Sequence, residues 1–183
     1  MSKIRRINFF GGPACGKSLS AANIRSQLGF YGYSVDLIEE VVKEWAYVQQ
    51  DPSDSDTFFL QASQIRKEDI RLRSGVDIVV TDSPVVLQYF YGCYHGDPFC
   101  ESMLYSAREW EKKYKSLNIF LKREESFYKN VGRFQQIEEA KKIDEEIKVL
   151  LDDMHVKYVE FSCMDQRGII DHILSVLKEN NNG

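Results

Sequence analysis

Apolar residues are arranged along this chain in two periods that alternate with one another. Five short runs rich in β-branched and aromatic residues predict strands, at Ile4 to Phe10, Tyr33 to Ile38, Val76 to Thr81, Leu117 to Leu121 and Lys157 to Phe161. Apolar residues spaced three and four apart among charged ones predict helices, at Leu19 to Phe30, Glu39 to Gln50, Thr57 to Arg73, Pro84 to Tyr94, Phe99 to Tyr114, Ile137 to Met154 and Gln166 to Leu177. Strands that alternate with helices predict an α/β fold in which helices cover both faces of a parallel sheet.

The burial of individual elements can also be predicted. Val76 to Thr81 is almost wholly Val and Ile, which is typical of a central strand buried on both faces. In the first helix, Ala22, Ile24 and Leu28 are expected to face the sheet. A polar tail, Glu179 to Gly183, is expected to follow the last helix.

A glycine-rich turn lies between the first strand and the first helix, and it fits the pattern G-x-x-x-x-G-K-[ST] in full. In such a loop, backbone N–H groups surround phosphate oxygens, the lysine reaches the β- and γ-phosphates, and the final hydroxyl binds Mg²⁺. The strand before it and the helix after it are the context that this pattern requires. The predicted nucleotide-binding residues are Gly11, Gly12, Pro13, Ala14, Cys15, Gly16, Lys17, Ser18 and Leu19.

Carboxylates follow two of the other predicted strands. Asp82 comes directly after the Val/Ile strand, where it could bind Mg²⁺ together with Ser18; the alternative is a helix N-cap ahead of Pro84. Glu39 and Glu40 end the second strand, where one of them could accept the proton of an attacking hydroxyl. We favour Glu40 for this base, although either residue could instead stabilise a helix N-terminus.

A polar, basic segment follows the fourth strand, from about residue 122 to residue 136. Arginines that close over phosphates supply positive charge and exclude water. The segment is therefore predicted to be a mobile lid in which Arg123 and Arg133 are catalytic. A solvated surface loop is the alternative.

Composition restricts the classes of function. The chain has 183 residues, 43% of them hydrophobic, and a net charge of −4, which indicates one globular domain and disfavours nonspecific nucleic-acid binding. No run approaches the roughly 18 apolar residues of a membrane-spanning helix, and the first residues lack the apolar stretch of a signal sequence, so we expect none. Four cysteines without a CxxC pair indicate free thiols in the cytoplasm.

Several residues of the predicted helices could line an acceptor cleft next to the phosphate loop. Aromatic rings could stack a base and amides could read its edge, but core packing is the simpler interpretation for each of them. They are Trp45, Tyr47, Gln61, Gln64, Arg66 and Tyr89 to Tyr91.

Four segments together resemble a known family. They are Phe9 to Ser18, Ile38 to Glu44, Val80 to Pro84, and Gly132 to Gln135 ahead of Glu139-Ala140 and Ile143-Asp144. In this order they resemble small P-loop kinase-like proteins of tailed bacteriophages, often labelled as AAA-type ATP-binding proteins. These are similar to the nicotinamide riboside kinase domain and to nucleoside and nucleotide kinases.

The resemblance implies a five-stranded sheet of order 2-3-1-4-5 within one domain, residues 1 to 183. It implies ATP and Mg²⁺ as cofactors, catalytic roles for Lys17, Glu40, Asp82, Arg123 and Arg133, and magnesium ligation by Ser18 and Asp82. The implied activity is phosphoryl transfer from ATP to a hydroxyl of a nucleoside, a nucleotide or a nicotinamide riboside-like molecule. Alternatives are a kinase acting on DNA, at a 5′ end or a hydroxymethylated base, and an ATP-dependent switch. The expected partner is a small acceptor molecule or DNA, and no membrane association is expected. A homodimer is an open alternative. The expected location is the host cytoplasm.

Overall fold

The computed structural model describes residues 3–39, 56–124 and 137–181. Its strands are β1 (Arg6–Phe10), β2 (Val35–Ile38), β3 (Ile78–Thr81), β4 (Ser116–Lys122) and β5 (Val159–Ser162). The helices in these ranges are α1 (Lys17–Phe30), α2 (Asp56–Arg73), α3 (Val85–Tyr94), α4 (Cys100–Lys113), α5 (Ile137–Asp153) and α6 (Gln166–Asn181). The helix predicted from Glu39 and most of the predicted lid lie outside the described residues.

The strands form one parallel sheet in the order β2-β3-β1-β4-β5, which confirms the predicted fold. In such sheets, the carboxyl ends of the strands meet along one edge, where ligands bind. Because β1 pairs with both β3 and β4, the loop that follows Phe10 lies at the centre of this edge.

Helices cover both faces of the sheet. On one face, Ile7 and Phe9 pack with apolar residues of α1 and α6. On the other face, Phe10 and Val79 pack with α2, α3, α4 and α5. All residues of β3 are buried, as the Val/Ile run predicts.

Three details differ from the sequence prediction. In α1, Ala21 is buried with Ile24 and Leu28, whereas Ala22 is exposed; the loop before the helix sets its rotation, which spacing alone could not fix. Helix α6 continues to Asn181, into the residues predicted as a tail, because no glycine or proline occurs between Leu177 and Asn181. The helix that follows β3 begins after Pro84, which occupies the N-cap position, so Asp82 does not have the alternative role of N-cap.

The prediction of four free thiols is wrong for one pair of cysteines. Cys93 and Cys100 form a disulfide, with their Cα atoms 5.4 Å apart. The short turn between α3 and α4 brings the two residues together, a proximity that the seven-residue spacing does not reveal. Cys15 and Cys163 are free and buried.

Across the described ranges, we find no helix that is both long and apolar enough to cross a membrane.

Candidate functional site

The loop from Gly11 to Gly16 connects the buried end of β1 to the start of α1. Its backbone takes positive φ angles at Gly11 (135°), Ala14 (65°) and Gly16 (89°). Positive φ suits glycine, but it is uncommon for alanine. Where residues with positive φ alternate with residues of negative φ, successive N–H groups point toward one concave side of the loop. This arrangement is an anion-binding nest.

Lys17 and Ser18 occupy the first turn of α1, directly after Gly16. The Lys17 ammonium donates hydrogen bonds to the carbonyls of Gly11 (2.7 Å) and Gly12 (2.8 Å), so its charge lies over the loop. Gly16 is the N-cap residue and has no side chain to cap the helix, and a helix N-terminus favours anions. The Lys17 ammonium, the N-terminus of α1 and the N–H groups of the loop together provide the hydrogen-bond donors that a phosphate requires.

The carboxyl ends of β2 and β3 lie side by side next to this loop. Ile38 pairs with Thr81, so Glu39 and Asp82 leave the sheet as neighbours. Asp82 is buried, at 2% exposure, whereas Glu39 is exposed. Glu40 lies outside the described residues.

Thr81 joins these two strand ends through its hydroxyl. The hydroxyl donates to the Ile38 carbonyl (3.1 Å) and accepts from the Ser83 N–H (3.1 Å). The Gln64 amide also donates to it (3.1 Å). The backbone on either side of Asp82 is therefore held relative to β2.

Arg123 lies against the phosphate loop. Its guanidinium donates to the Pro13 carbonyl (2.7 Å) and pairs with Asp144 (Nε to Oδ2, 2.8 Å), and its side chain is 5% exposed. Sequence reasoning expected this arginine in a lid above the phosphates; in the structure it contacts the loop backbone. Arg133 lies outside the described residues.

Asp144 is a site residue to which sequence reasoning gave no role. It lies on α5, where its Oδ1 accepts a hydrogen bond from the Gly12 N–H at 2.6 Å. One feature of the sequence does indicate a role: Asp144 lies on the apolar face of an amphipathic helix, where Ala140, Ile143 and Ile147 are buried. A charged residue on a buried face needs a partner.

A pocket of about 270 Å³ opens beside the start of α1. Its lining combines amide and hydroxyl groups with apolar side chains, from Gly16, Leu19, Ser20, Asn23, Cys163, Met164 and Gln166. Gln166 joins its walls, because it donates to the Ser20 hydroxyl (2.8 Å) and the Cys163 carbonyl (2.7 Å) and accepts from Asn23 (2.7 Å). Of these residues, the sequence pattern predicts a binding role only for Gly16 and Leu19.

Cys163 lies close to the phosphate loop. A Cβ atom placed on Gly16 would come within 3.1 Å of the Cys163 Cβ. Burial, the neighbouring Cys15 and the Glu124 carboxylate raise the pKa of the Cys163 thiol. At neutral pH this thiol is therefore protonated and contributes to the core rather than acting as a nucleophile.

The glutamines suggested for an acceptor cleft have partners within the core instead. Gln61 donates to the carbonyls of Val85 (3.3 Å) and Met103 (3.0 Å), and Gln64 donates to Thr81 and Glu68. Phe90 is buried in the core and Arg66 is exposed. Packing therefore accounts for these glutamines and for Phe90, while Trp45 and Tyr47 lie outside the described residues.

Comparison with known proteins agrees with the fold. The sequence pattern of a family described as an AAA domain matches residues 6–166. Similar solved structures include a NadR protein in complex with NR (TM-score 0.71, 13% identity, 98% of this chain and 52% of that one). Another is a NadR protein in complex with NAD and AMP-PNP (TM-score 0.72, 13% identity, 96% and 50%). This chain thus spans about half the length of those proteins, and at this identity the likeness shows the fold alone. No curated protein sequence matches the chain.

Proposed function

This chain belongs to the AAA domain family, and we propose that it is an ATP- and Mg²⁺-dependent phosphotransferase. The proposed reaction moves the γ-phosphoryl group of ATP to a hydroxyl of a nucleoside, a nucleotide or a nicotinamide riboside-like acceptor. One observation carries the proposal: Lys17 and Ser18 begin α1 on a phosphate-type loop, beside the strand ends that bear Glu39 and Asp82.

Phosphate binding is assigned to the loop and to Lys17. The loop's N–H groups and the N-terminus of α1 attract negative charge. The two carbonyls that now accept from Lys17 belong to Gly11 and Gly12, so the ammonium needs only a short movement to reach a phosphate above the loop. Since phosphoryl transfer depends chiefly on positioning and charge, these groups supply much of the catalysis.

Mg²⁺ is assigned to the Ser18 hydroxyl and the Asp82 carboxylate. Both are oxygen ligands, which this small hard cation prefers. Ser18 is exposed in the first turn of α1, and Asp82 follows β3, the direct neighbour of β1. Held by these two oxygens, Mg²⁺ would supply positive charge to offset the negative charge of the phosphates during transfer.

Activation of the acceptor is assigned to Glu40, and Arg133 is assigned to the phosphates. The acceptor hydroxyl gives its proton to the carboxylate as its oxygen bonds to the γ-phosphorus and the bond to ADP breaks. In the sequence Glu40 directly follows Glu39, which leaves the end of β2 next to Asp82. Arginine provides a fork of donors suited to phosphate oxygens.

The pocket beside α1 is assigned to the nucleobase of ATP. It borders Gly16 at the end of the phosphate loop, so a nucleotide whose phosphates occupy the loop can extend into it. Leu19 and Met164 are 65% and 59% exposed and offer apolar contact to the base faces. The sequence has no N/TKxD motif for guanine, which favours adenine.

Transfer of labelled phosphate from γ-labelled ATP tests this proposal. Purified protein with Mg²⁺ would be offered nucleosides, nucleoside monophosphates, nicotinamide riboside, and DNA with ordinary or hydroxymethylated bases. We expect label on one class of small acceptor, and loss of labelling with Lys17→Ala. Lys178→Ala is the matched control, because Lys178 is an exposed lysine on α6.

Each alternative outcome of this experiment has a defined meaning. Label on DNA would replace the small acceptor with a nucleic acid. Release of label only as inorganic phosphate, or ATP binding without turnover, would contradict the phosphotransferase and favour a nucleotide-dependent switch. Unchanged activity in Lys17→Ala would contradict the phosphate-loop assignment itself.

A further inference from the structure

The carboxylate of Asp144 contacts two parts of the phosphate-binding machinery at once. Its Oδ1 accepts from the Gly12 N–H at 2.6 Å. The Arg123 guanidinium donates to both carboxylate oxygens, from Nε to Oδ2 at 2.8 Å and from Nη2 to Oδ1 at 3.2 Å. Arg123 in turn donates to the Pro13 carbonyl at 2.7 Å, so two consecutive loop residues are attached to the same ion pair.

The ion pair is shielded from water, and the positions of its two side chains are therefore tightly constrained. The side chains of Arg123 and Asp144 are 5% and 10% exposed. A buried charge is tolerated when its partner and its hydrogen bonds are in place, and loss of either partner leaves an uncompensated charge. Neither residue can therefore shift without cost, and both hold the loop backbone firmly.

The attached residues come directly before the strained position of the loop. Ala14 has a φ of 65°, which is unfavourable for a residue with a Cβ atom. Such conformations persist where the surrounding structure fixes them. Contacts to the Gly12 N–H and the Pro13 carbonyl hold the Gly11–Gly12 and Pro13–Ala14 peptide groups, the second of which leads directly into Ala14.

The identity of residue 12 agrees with this role. The motif itself requires glycine only at its first and sixth positions, yet Gly12 is at the second. A Cβ atom there would lie 2.7 Å from Asp144 Oδ1 and 3.2 Å from both Arg123 Nη2 and the Ala140 carbonyl. The close approach of the ion pair therefore explains the second glycine.

We propose that Asp144 is a positioning residue for phosphate binding, which acts through Arg123 and the Gly12 N–H to hold the loop in its anion-binding shape. This inference rests on the proposed function only in that the loop binds a nucleotide. It requires no particular acceptor and no transfer reaction.

Affinity for the non-hydrolysable nucleotide AMP-PNP, measured by calorimetry with Mg²⁺, tests the proposal. Asp144→Asn keeps a hydrogen-bond acceptor but removes the charge that pairs with Arg123. We expect it to weaken binding about tenfold, the equivalent of one charge-assisted hydrogen bond. Asp153→Asn is the matched control, because it makes the same change at an exposed position of the same helix, and it should leave affinity unchanged.

Coupling between positions 12 and 144 separates positioning from a general loss of stability. Gly12→Ala alone should weaken AMP-PNP binding, because the new methyl group collides with Asp144. In an Asp144→Ala background the same change should cost at least about threefold less. Where a single variant folds poorly, Arg123→Met with Asp144→Leu removes both charges together, and it should fold yet bind AMP-PNP at least about tenfold more weakly.

The results that contradict the inference differ from those that contradict the proposed function. Wild-type protein that fails to bind AMP-PNP would refute the nucleotide-binding function. Wild-type binding together with unchanged affinity in Asp144→Asn and in the double replacement would refute the role of Asp144. Strictly additive effects of Gly12→Ala and Asp144→Ala would refute it as well.

Discussion

Arg6 and Glu68 form an ion pair inside the protein, with 2.8 Å between Arg6 Nε and Glu68 Oε2 and both side chains at 0% exposure. Glu111 provides a second carboxylate for the guanidinium at 2.9 Å. The Trp110 indole and the Gln64 amide each donate to Glu68 at 2.8 Å. Although burial alone would lower it, the carboxylates of Glu68 and Glu111 raise the pKa of Arg6, so the arginine remains charged.

Removal of Glu68 should destabilise the protein strongly. Glu68→Ala would leave Arg6 buried with only one counter-charge and two donors without their acceptor, so we expect a loss of about 3–5 kcal/mol in the free energy of unfolding. Urea unfolding followed by circular dichroism measures this loss. Glu109→Ala removes a carboxylate from an exposed pair with Lys112 and should change stability by less than about 1 kcal/mol. Equal effects of the two substitutions would contradict the importance of burial.

The same network reaches the functional edge of the sheet through Thr81. Thr81→Val keeps the shape of the side chain but removes the hydroxyl that joins Ile38 to Ser83. We expect a stability loss of about 1–3 kcal/mol, and a fall of about tenfold in kcat as Asp82 loses its fixed position.

Thr57→Val is the matched control for Thr81→Val. The Thr57 hydroxyl donates to the Asp97 carboxylate between α2 and the turn before α4. It should cost similar stability but retain kcat. A proportional loss of kcat in both variants would show that Thr81 acts only through stability.

Sequence reasoning identified the phosphate loop because its residues are adjacent in the chain. The conformation of the loop is determined by the consecutive residues Gly11 to Ser18, so a sequence pattern is enough to recognise it. Asp144 and Gln166 were missed because their partners are distant: Gly12 is 132 residues from Asp144, and Ser20 is 146 residues from Gln166. Such contacts follow from the strand order, which here came from a resemblance to known proteins rather than from periodicity.

Helix phase and cysteine pairing show the same limit at shorter range. Spacing predicted Ala22 as a buried residue of α1, but Ala21 is buried instead. The disulfide of Cys93 with Cys100 depends on the angle at which α3 turns into α4. The rotation of α1 and the pairing of the cysteines both depend on how the helices are placed in three dimensions, which residue types alone do not determine.

The choice between Glu39 and Glu40 as the base can be decided by single substitutions. Glu40→Gln preserves size but cannot accept a proton, so we expect transfer to fall by about 10²–10⁴-fold. The Kd for AMP-PNP should change by less than about threefold, because the base contacts the acceptor rather than ATP. Glu39→Gln is the neighbouring control and should retain most activity. The reverse pattern would assign the base to Glu39, the carboxylate next to Asp82 at the end of β2.

The Cys163 thiol should show a pH dependence that reports its surroundings. Burial, Cys15 and Glu124 raise its pKa, so the folded protein retains the proton at pH values where the unfolded chain has lost it. The thiol therefore stabilises the fold below its ordinary pKa, and this contribution is lost as the pH rises through the raised value. Alkylation by iodoacetamide, followed by peptide mass spectrometry against pH, should give a higher midpoint for folded than for guanidinium-unfolded protein. Glu124→Gln should lower the folded midpoint, whereas Glu109→Gln, at an exposed position on α4, should not. Equal midpoints in the folded and unfolded states would contradict the shift.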